Sequence, residues 1–343
     1  MKMTKNKEIT IYDIAKQLNV SSATVSRALK NSSAINENTK KRVMDMAREL
    51  GYQTNTFASS LRNNRTNTIG LIVPRLNSMF MSDVIAGIEK VVNEAGFNLI
   101  ISQSLESLEK EKVNAQTMFN SRVDGLLVSL AYNTDTVEHF RPFIKKGIPL
   151  LFFDRVADLE SCPTIVIDNF KAGYEITTHL IEQGCKNLVH VTGNLRRNVY
   201  NDRFNGFKQA LNDHGLTFNS SNILLTDLSP DAGTRSAHEL LKLEVRPDGV
   251  FVANDSCAAS CIIELRKNDI KIPADMLFAG FNNDFISKVV EPNLTTIDYK
   301  GYEMGEITAQ ALINQLNNQL NFNLTHSIVI RHELIIRESS QNS

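Results

Sequence analysis

Apolar residues fall into two regimes along the chain. Up to about residue 51 they recur at three- and four-residue spacing, the period of amphipathic helices; from Thr68 onward they gather into short continuous runs. In the first regime Ile11, Ile14 and Leu18 share a helical face, with Thr10 as cap and Asp13 three residues on. Asn19 supplies a turn. Ser21 caps a second helix, Thr24 follows it, and Val25, Ala28 and Leu29 form an apolar side that packs back on the first. Ser22, Ala23, Ser26 and Arg27 face outward. A third helix, capped by Asn36, sets Val43, Met46, Ala47 and Leu50 on one face and stops at Gly51, where a left-handed residue belongs.

The outward residues carry the chemistry. Small or hydroxylic side chains at a helix start, with an arginine a turn later, let the helix N-terminus approach a phosphate backbone while short side chains reach base edges. The pattern is that of a helix-turn-helix; a plain helical hairpin in a larger core is the alternative. Charge favours the former. Residues 1–65 hold twelve Lys or Arg against five Asp or Glu, a net of +7 inside a chain whose total is −1, so the remainder carries −8. A basic helical module joined to an acidic body fits a tethered nucleic-acid binder.

The second regime reads as alternating strands and helices. Ile69–Val73, Leu99–Ile101, Gly125–Val128, Leu150–Phe153 and Ile165–Ile167 are strand-like, as are Leu188–Val191, Ile223–Leu225, Val250–Val252 and Leu277–Ala279, with helical stretches such as Phe80 to Glu94 between. Apolar strands of this kind belong to parallel sheets covered on both faces, either as two doubly wound lobes or as one closed barrel. Tyr52 to Arg65 lies between the regimes. A helix from Asn55 or Thr56 to Leu61 has about two turns, short of the ~12–15 residues that sustain an isolated helix.

Ile11-Tyr12-Asp13-Ile14-Ala15, Val20-Ser21, Thr24-Val25-Ser26-Arg27 and Gly51-Tyr52 resemble the headpiece of the lactose-repressor and galactose-repressor family, and the likeness continues to about residue 337. The resemblance implies a helix-turn-helix headpiece (1–53), a hinge helix (54–66) and a two-lobed α/β domain like the periplasmic sugar-binding proteins (67–343). Its first lobe would take about 68–162 and 294–324, its second about 163–293 and 325–339. In the headpiece, DNA contacts are implied for Thr10, Tyr12, Ser21, Ser22, Ala23, Thr24, Ser26, Arg27 and Asn31. In the hinge they are implied for Asn55, Ala58 and Leu61, the last as a wedge in the minor groove. Thr54 stands where the family commonly has Pro.

In such folds ligands bind beyond the carboxyl ends of strands, between the lobes. The family's motifs put Phe80, Met81, Asp154, Arg203, Leu228, Asn254 and Asn282 there, around a small-molecule effector of carbohydrate type. Arg203 brings a planar guanidinium that donates to two adjacent oxygens. Asp154 has a helix cap as its alternative, and Met81 and Leu228 have plain packing. Asn282 replaces a frequent Asp and Leu228 a frequent aromatic. With Arg196 and Arg197 beside Arg203, an anionic sugar derivative is one expectation. A nucleobase or a protein co-regulator is the alternative effector.

Other classes fit poorly. Cys162, Cys185, Cys257 and Cys261 form no CxxC pair and the seven His are scattered, so no metal or other cofactor is expected. No phosphate loop, His-Glu-x-x-His or Gly-x-Ser-x-Gly motif speaks for an enzyme. A solute-binding protein would share the body but not the basic headpiece. Met1–Glu8 lacks an apolar core and no run is long enough to cross a membrane, so a cytoplasmic protein is expected. The polar end, Arg337–Ser343, has no heptad repeat, which leaves a two-fold dimer on a pseudo-palindromic operator as the expected assembly.

Overall fold

The structure, a computed structural model, describes residues 9–52, 65–159, 162–317 and 327–341. The chain divides into two units between Thr66 and Asn67. In the first, helical periodicity gives α1 (Ile11–Leu18), α2 (Ser22–Leu29) and α3 (Glu37–Glu49). Their starts are capped by side chains. The Asp13 carboxylate accepts from the Thr10 N–H at 2.8 Å and from Thr10 Oγ1 at 2.6 Å. Ser21 Oγ and Asn36 Oδ1 accept from the amides of Thr24 and Thr39. Asn19 turns the chain between α1 and α2 in the left-handed conformation, φ 52. Ile14, Val25, Ala28 and Val43 are wholly buried where the three helices meet.

The second unit alternates strands and helices. It begins with β1 (Thr68–Val73), α4 (Met79–Glu94), β2 (Asn98–Gln103), α5 (Leu108–Asn120), β3 (Gly125–Val128), α6 (Arg141–Lys145), β4 (Leu150–Phe153) and β5 (Thr164–Ile167). It continues through α7 (Asn169–Glu182), β6 (Leu188–Thr192), α8 (Asn198–Asp213), β7 (Ile223–Leu225), α9 (Pro230–Lys242), β8 (Gly249–Val252), α10 (Asp255–Lys267) and β9 (Leu277–Ala279). Then follow β10 (Thr296–Asp298), α11 (Gly301–Leu316), β11 (Ser327–Ile330) and β12 (Glu333–Ile335).

Two open parallel sheets result, ordered β11-β5-β4-β3-β1-β2 and β7-β6-β8-β9, with β10 and β12 as a separate antiparallel pair. Two sheets exclude the closed barrel. Central strands such as β3 and β4 are buried along their whole length, as continuous apolar runs require.

Strand pairing moves the lobe boundary. Residues from 163 and the C-terminal strands were expected in the second lobe, yet β5 and β11 pair in the first sheet, Thr164 with Ser327 through Ile167 with Ile330. A strand that follows β4 after so short a connection stays beside it, and Ile165, Ile167 and Ile330 share the buried cluster that holds Leu127, Leu151 and Leu312. The last described turn packs inward. Ser339 and Ser340 are wholly buried, and Ser339 Oγ donates to the Phe278 carbonyl at 2.7 Å.

Candidate functional site

The first unit presents the outer face of α2. Ala23 and Arg27 are exposed, Ser22 and Ser26 half-buried, and Tyr12, on α1, is exposed to 70%. Thr24 Oγ1 lies 2.9 Å from Ser21 Oγ, so those two hydroxyls serve the cap. Thr10 is likewise tied to Asp13, and Asn31, in the left-handed conformation (φ 53), lies beyond the C-terminus of α2. The first turn of α2 carries no acidic residue, which leaves the positive end of the helix open to an anion. Asn55, Ala58 and Leu61 fall outside the described residues.

In the second unit, strand ends of both lobes meet around a cavity of about 290 Å³. Phe80 and Met81 reach it from the first turn of α4, and Asp154 from the end of β4. Arg203 enters from α8, while Leu228, Asn254 and Asn282 follow β7, β8 and β9. All seven expected residues line this one cavity.

Their partners define what each offers. Arg203 is buried, with its guanidinium 3.5 Å from the centre of the Phe281 ring. Its Nε donates to Asn169 Oδ1 at 2.9 Å and its Nη1 to the Ala253 carbonyl at 3.2 Å, so the fork is held in place. Burial pulls its pKa down, opposed by Tyr299, Tyr200 and Asp154. Asp154 is no helix cap. It sits at φ 56, and its Oδ1 accepts from Tyr299 Oη at 2.8 Å; burial raises its pKa against Arg155 and that hydrogen bond. Asn254 Oδ1 caps α10 by accepting from the Cys257 amide at 3.0 Å, and among the described residues its Nδ2 has no partner. Leu228 and Asn282 are also left-handed, φ 57 and 115.

Sequence reasoning missed several lining groups. Tyr299, from the segment that returns to the first lobe, stacks on Phe80 with ring centres 4.2 Å apart. Tyr200 lies beneath both Arg155 and Arg203. Arg75, Arg155, Glu106, Asp227 and Asp284 add charge of both signs. Burial pushes the Asp284 carboxyl up to about 6, with Asn282 opposing and Asp83 adding to the rise. Arg155 and Asp227 carried a signal, as the neighbours of Asp154 and Leu228 at strand ends.

Two expected residues are elsewhere. Arg196 is exposed and Arg197 buried, and neither lines the cavity. Arg197 opens α8 and donates through Nη2 to the Thr134 carbonyl of the first lobe; burial, then Arg155, lowers its pKa, with the buried Glu111 carboxylate opposing. The extra positive charge read into the cavity is therefore absent from its lining.

A basic helix-turn-helix on a two-lobed ligand-binding fold defines a DNA-binding transcriptional regulator. The comparisons agree. A model of the lacI family of bacterial regulatory proteins matches residues 10–55, and a periplasmic binding protein-like domain matches residues 177–340. The HTH-type transcriptional regulator RegA of Clostridium saccharobutylicum is 33% identical over 334 residues, 96% of this chain and 99% of that one. The lac repressor dimer solved with operator and the anti-inducer ONPF aligns with TM-score 0.86 at 21% identity, covering 98% of this chain and all of that one. The complex of the regulator CelR with cellobiose aligns with TM-score 0.73 at 23% identity over 97% of this chain and 100% of that one. The chain belongs to the lacI family of bacterial regulatory proteins.

Proposed function

We propose that this regulator represses transcription from the cytoplasm by binding a pseudo-palindromic operator as a homodimer. It acts by binding and not by catalysis, and a neutral carbohydrate in the inter-lobe cavity changes its operator affinity. The observation that carries the ligand reading is the convergence of Phe80, Asp154, Arg203, Asn254 and Asn282 from both lobes on one cavity. Charge argues for a neutral ligand. Arg75, Arg155 and Arg203 are met around the same cavity by Glu106, Asp154, Asp227 and Asp284, so the anionic sugar derivative expected from sequence loses its support. That CelR is solved with cellobiose supports the carbohydrate class.

For DNA, the acid-free first turn of α2 would enter the major groove, with Ser22 and Ala23 at base edges and Arg27 a turn behind. Asn55, Ala58 and Leu61 would serve the minor groove as a hinge. An apolar run at the edge of the first sheet suits a second copy: Ile100 and Ile101 on β2, with Leu76, Met79, Leu105 and Val113 from flanking segments, are all exposed. The test is a thermal-shift screen of the whole chain against neutral sugars, uronic acids, sugar phosphates and nucleobases, followed by operator titration. A ligand at ~100 times its Kd stabilises the folded state by about 2.7 kcal/mol. Stabilisation by a neutral sugar that also alters operator affinity is the expected result; a response to nucleobases alone would overturn the carbohydrate assignment.

A further inference from the structure

Glu106 stands just after β2, where Leu105 and Glu106 are both left-handed, φ 50 and 63. Neither is glycine, and two such residues in succession are a conformation that L side chains disfavour. The result is to aim a carboxylate at two arginines. Glu106 Oε2 accepts from Arg155 Nη1 at 2.7 Å and from the Tyr132 amide at 2.8 Å, while Oε1 lies 3.5 Å from Arg75 Nε. Arg155 is largely buried and gives its Nη2 to Tyr200 Oη at 2.9 Å. Arg75, Arg155 and Glu106 all line the cavity.

Without the carboxylate, two guanidinium groups would share one side of the cavity, the arrangement that holds a phosphate or carboxylate with paired hydrogen bonds. We infer that Glu106 is a specificity-determining residue: it occupies and neutralises the Arg75–Arg155 pair, so that the cavity excludes anions and accepts neutral polyhydroxylated ligands. This rests on the cavity being the effector site. Selectivity of this kind needs a repulsive element as well as an attractive one, and a carboxylate already seated between the arginines is such an element. An anion entering the cavity must displace Glu106 or lie beside its charge.

Glu106→Gln keeps the size and an acceptor oxygen, so a residue that merely tethers Tyr132 would tolerate it. The whole protein is melted with inorganic phosphate, against sodium chloride at matched ionic strength, as wild type, Glu106→Gln and Glu106→Gln/Arg155→Met. Wild type should show no phosphate-specific shift in the transition of the larger unit. Glu106→Gln should bind phosphate about tenfold or more tightly than wild type, and the added Arg155→Met should abolish the gain. Phosphate binding by wild type, no gain in Glu106→Gln, or a gain that survives Arg155→Met would each overturn the inference. Should Glu106→Gln fail to fold, wild type is titrated with glucose and glucose 6-phosphate. Preference for the phosphate overturns the inference and preference for glucose supports it. Neutral sugars screened on the same wild-type protein test the effector reading separately: silence there with a phosphate gain in Glu106→Gln supports the role of Glu106 and counts against that reading.

Discussion

Asp255, at the start of α10, shows how one buried residue fastens neighbouring segments together. Its Oδ1 accepts from Thr296 Oγ1 at 2.8 Å and its Oδ2 from the Asp284 amide at 2.8 Å, so it ties α10 to two points of the connection between β9 and α11. Burial, then the nearby Asp284 carboxylate, pushes its pKa up to about 7, against the hydrogen bonds from Thr296 and Asp284 that favour the charge. A carboxyl whose folded pKa is raised stabilises the fold fully below the unfolded value near 4, and that contribution is lost as pH rises through about 7. Asp284, raised in the same direction, titrates in both wild type and an Asp255→Asn variant, so the difference between them reports Asp255 together with its coupling to Asp284. Asn is expected to be the less stable throughout, because its amide cannot accept from both donors. The gap should narrow by on the order of a few kcal/mol between pH 4 and 8. Denaturant melts of both proteins across that range check it; a gap that widened with pH would mean that Asp255 is ionised in the folded protein throughout.

Helix pairs fix where the cavity residues stand. A Cβ on Gly173 of α7 would run into the carbonyl and Cα of Arg203 on α8, and one on Gly206 into the Phe170 carbonyl. Two glycines on facing helices thus bring the backbones together and set the depth of Arg203. The first lobe repeats the device between Gly87 of α4 and Gly305 of α11. An exposed helical Gly→Ala change stabilises by about 1 kcal/mol; Gly173→Ala should instead destabilise by about 1–3 kcal/mol, since the helices must part. Gly206→Ala should cost a similar amount, and the double variant much less than the sum, because one separation relieves both contacts. Additive losses in chemical denaturation would show that the two glycines act independently. This is also where sequence reasoning stops. The alternation of apolar runs gave the strands, and the family's motif positions led to the seven lining residues, most of them just beyond strand ends, where such folds leave room, with Arg203 from within α8. Tyr200, Tyr299 and Glu106 arrive through helix crossing, a returning segment and a left-handed loop, none of which leaves a periodic trace. Arg197 went the other way, drawn from the cavity by the Thr134 carbonyl.

Across the second unit the lobes are tied directly to each other. Tyr132 Oη donates to the Thr226 carbonyl at 3.0 Å, Asn194 Nδ2 to the Tyr132 carbonyl at 3.1 Å, and Asn198 Nδ2 to the Asp154 carbonyl at 3.0 Å. These bonds join loops of the first lobe to the loop between β6 and α8, the start of α8 and the end of β7, so they exist only while the lobes are close. A ligand that touches both lobes draws on the same closed population, and its apparent affinity scales with the fraction already closed. Tyr132→Phe removes one bond while keeping the ring, worth about 1 kcal/mol, and should weaken the sugar found in the screen by up to about fivefold. Linkage then fixes a sign without knowledge of whether the sugar releases DNA or tightens its hold. Sugar shifts the population toward closure and Tyr132→Phe shifts it away, so in the sugar-free protein the substitution must move operator affinity opposite to sugar. Operator titrations of wild type with and without sugar, and of Tyr132→Phe without it, decide the matter. If substitution and sugar moved affinity the same way, lobe closure would not be what connects the cavity to the headpiece.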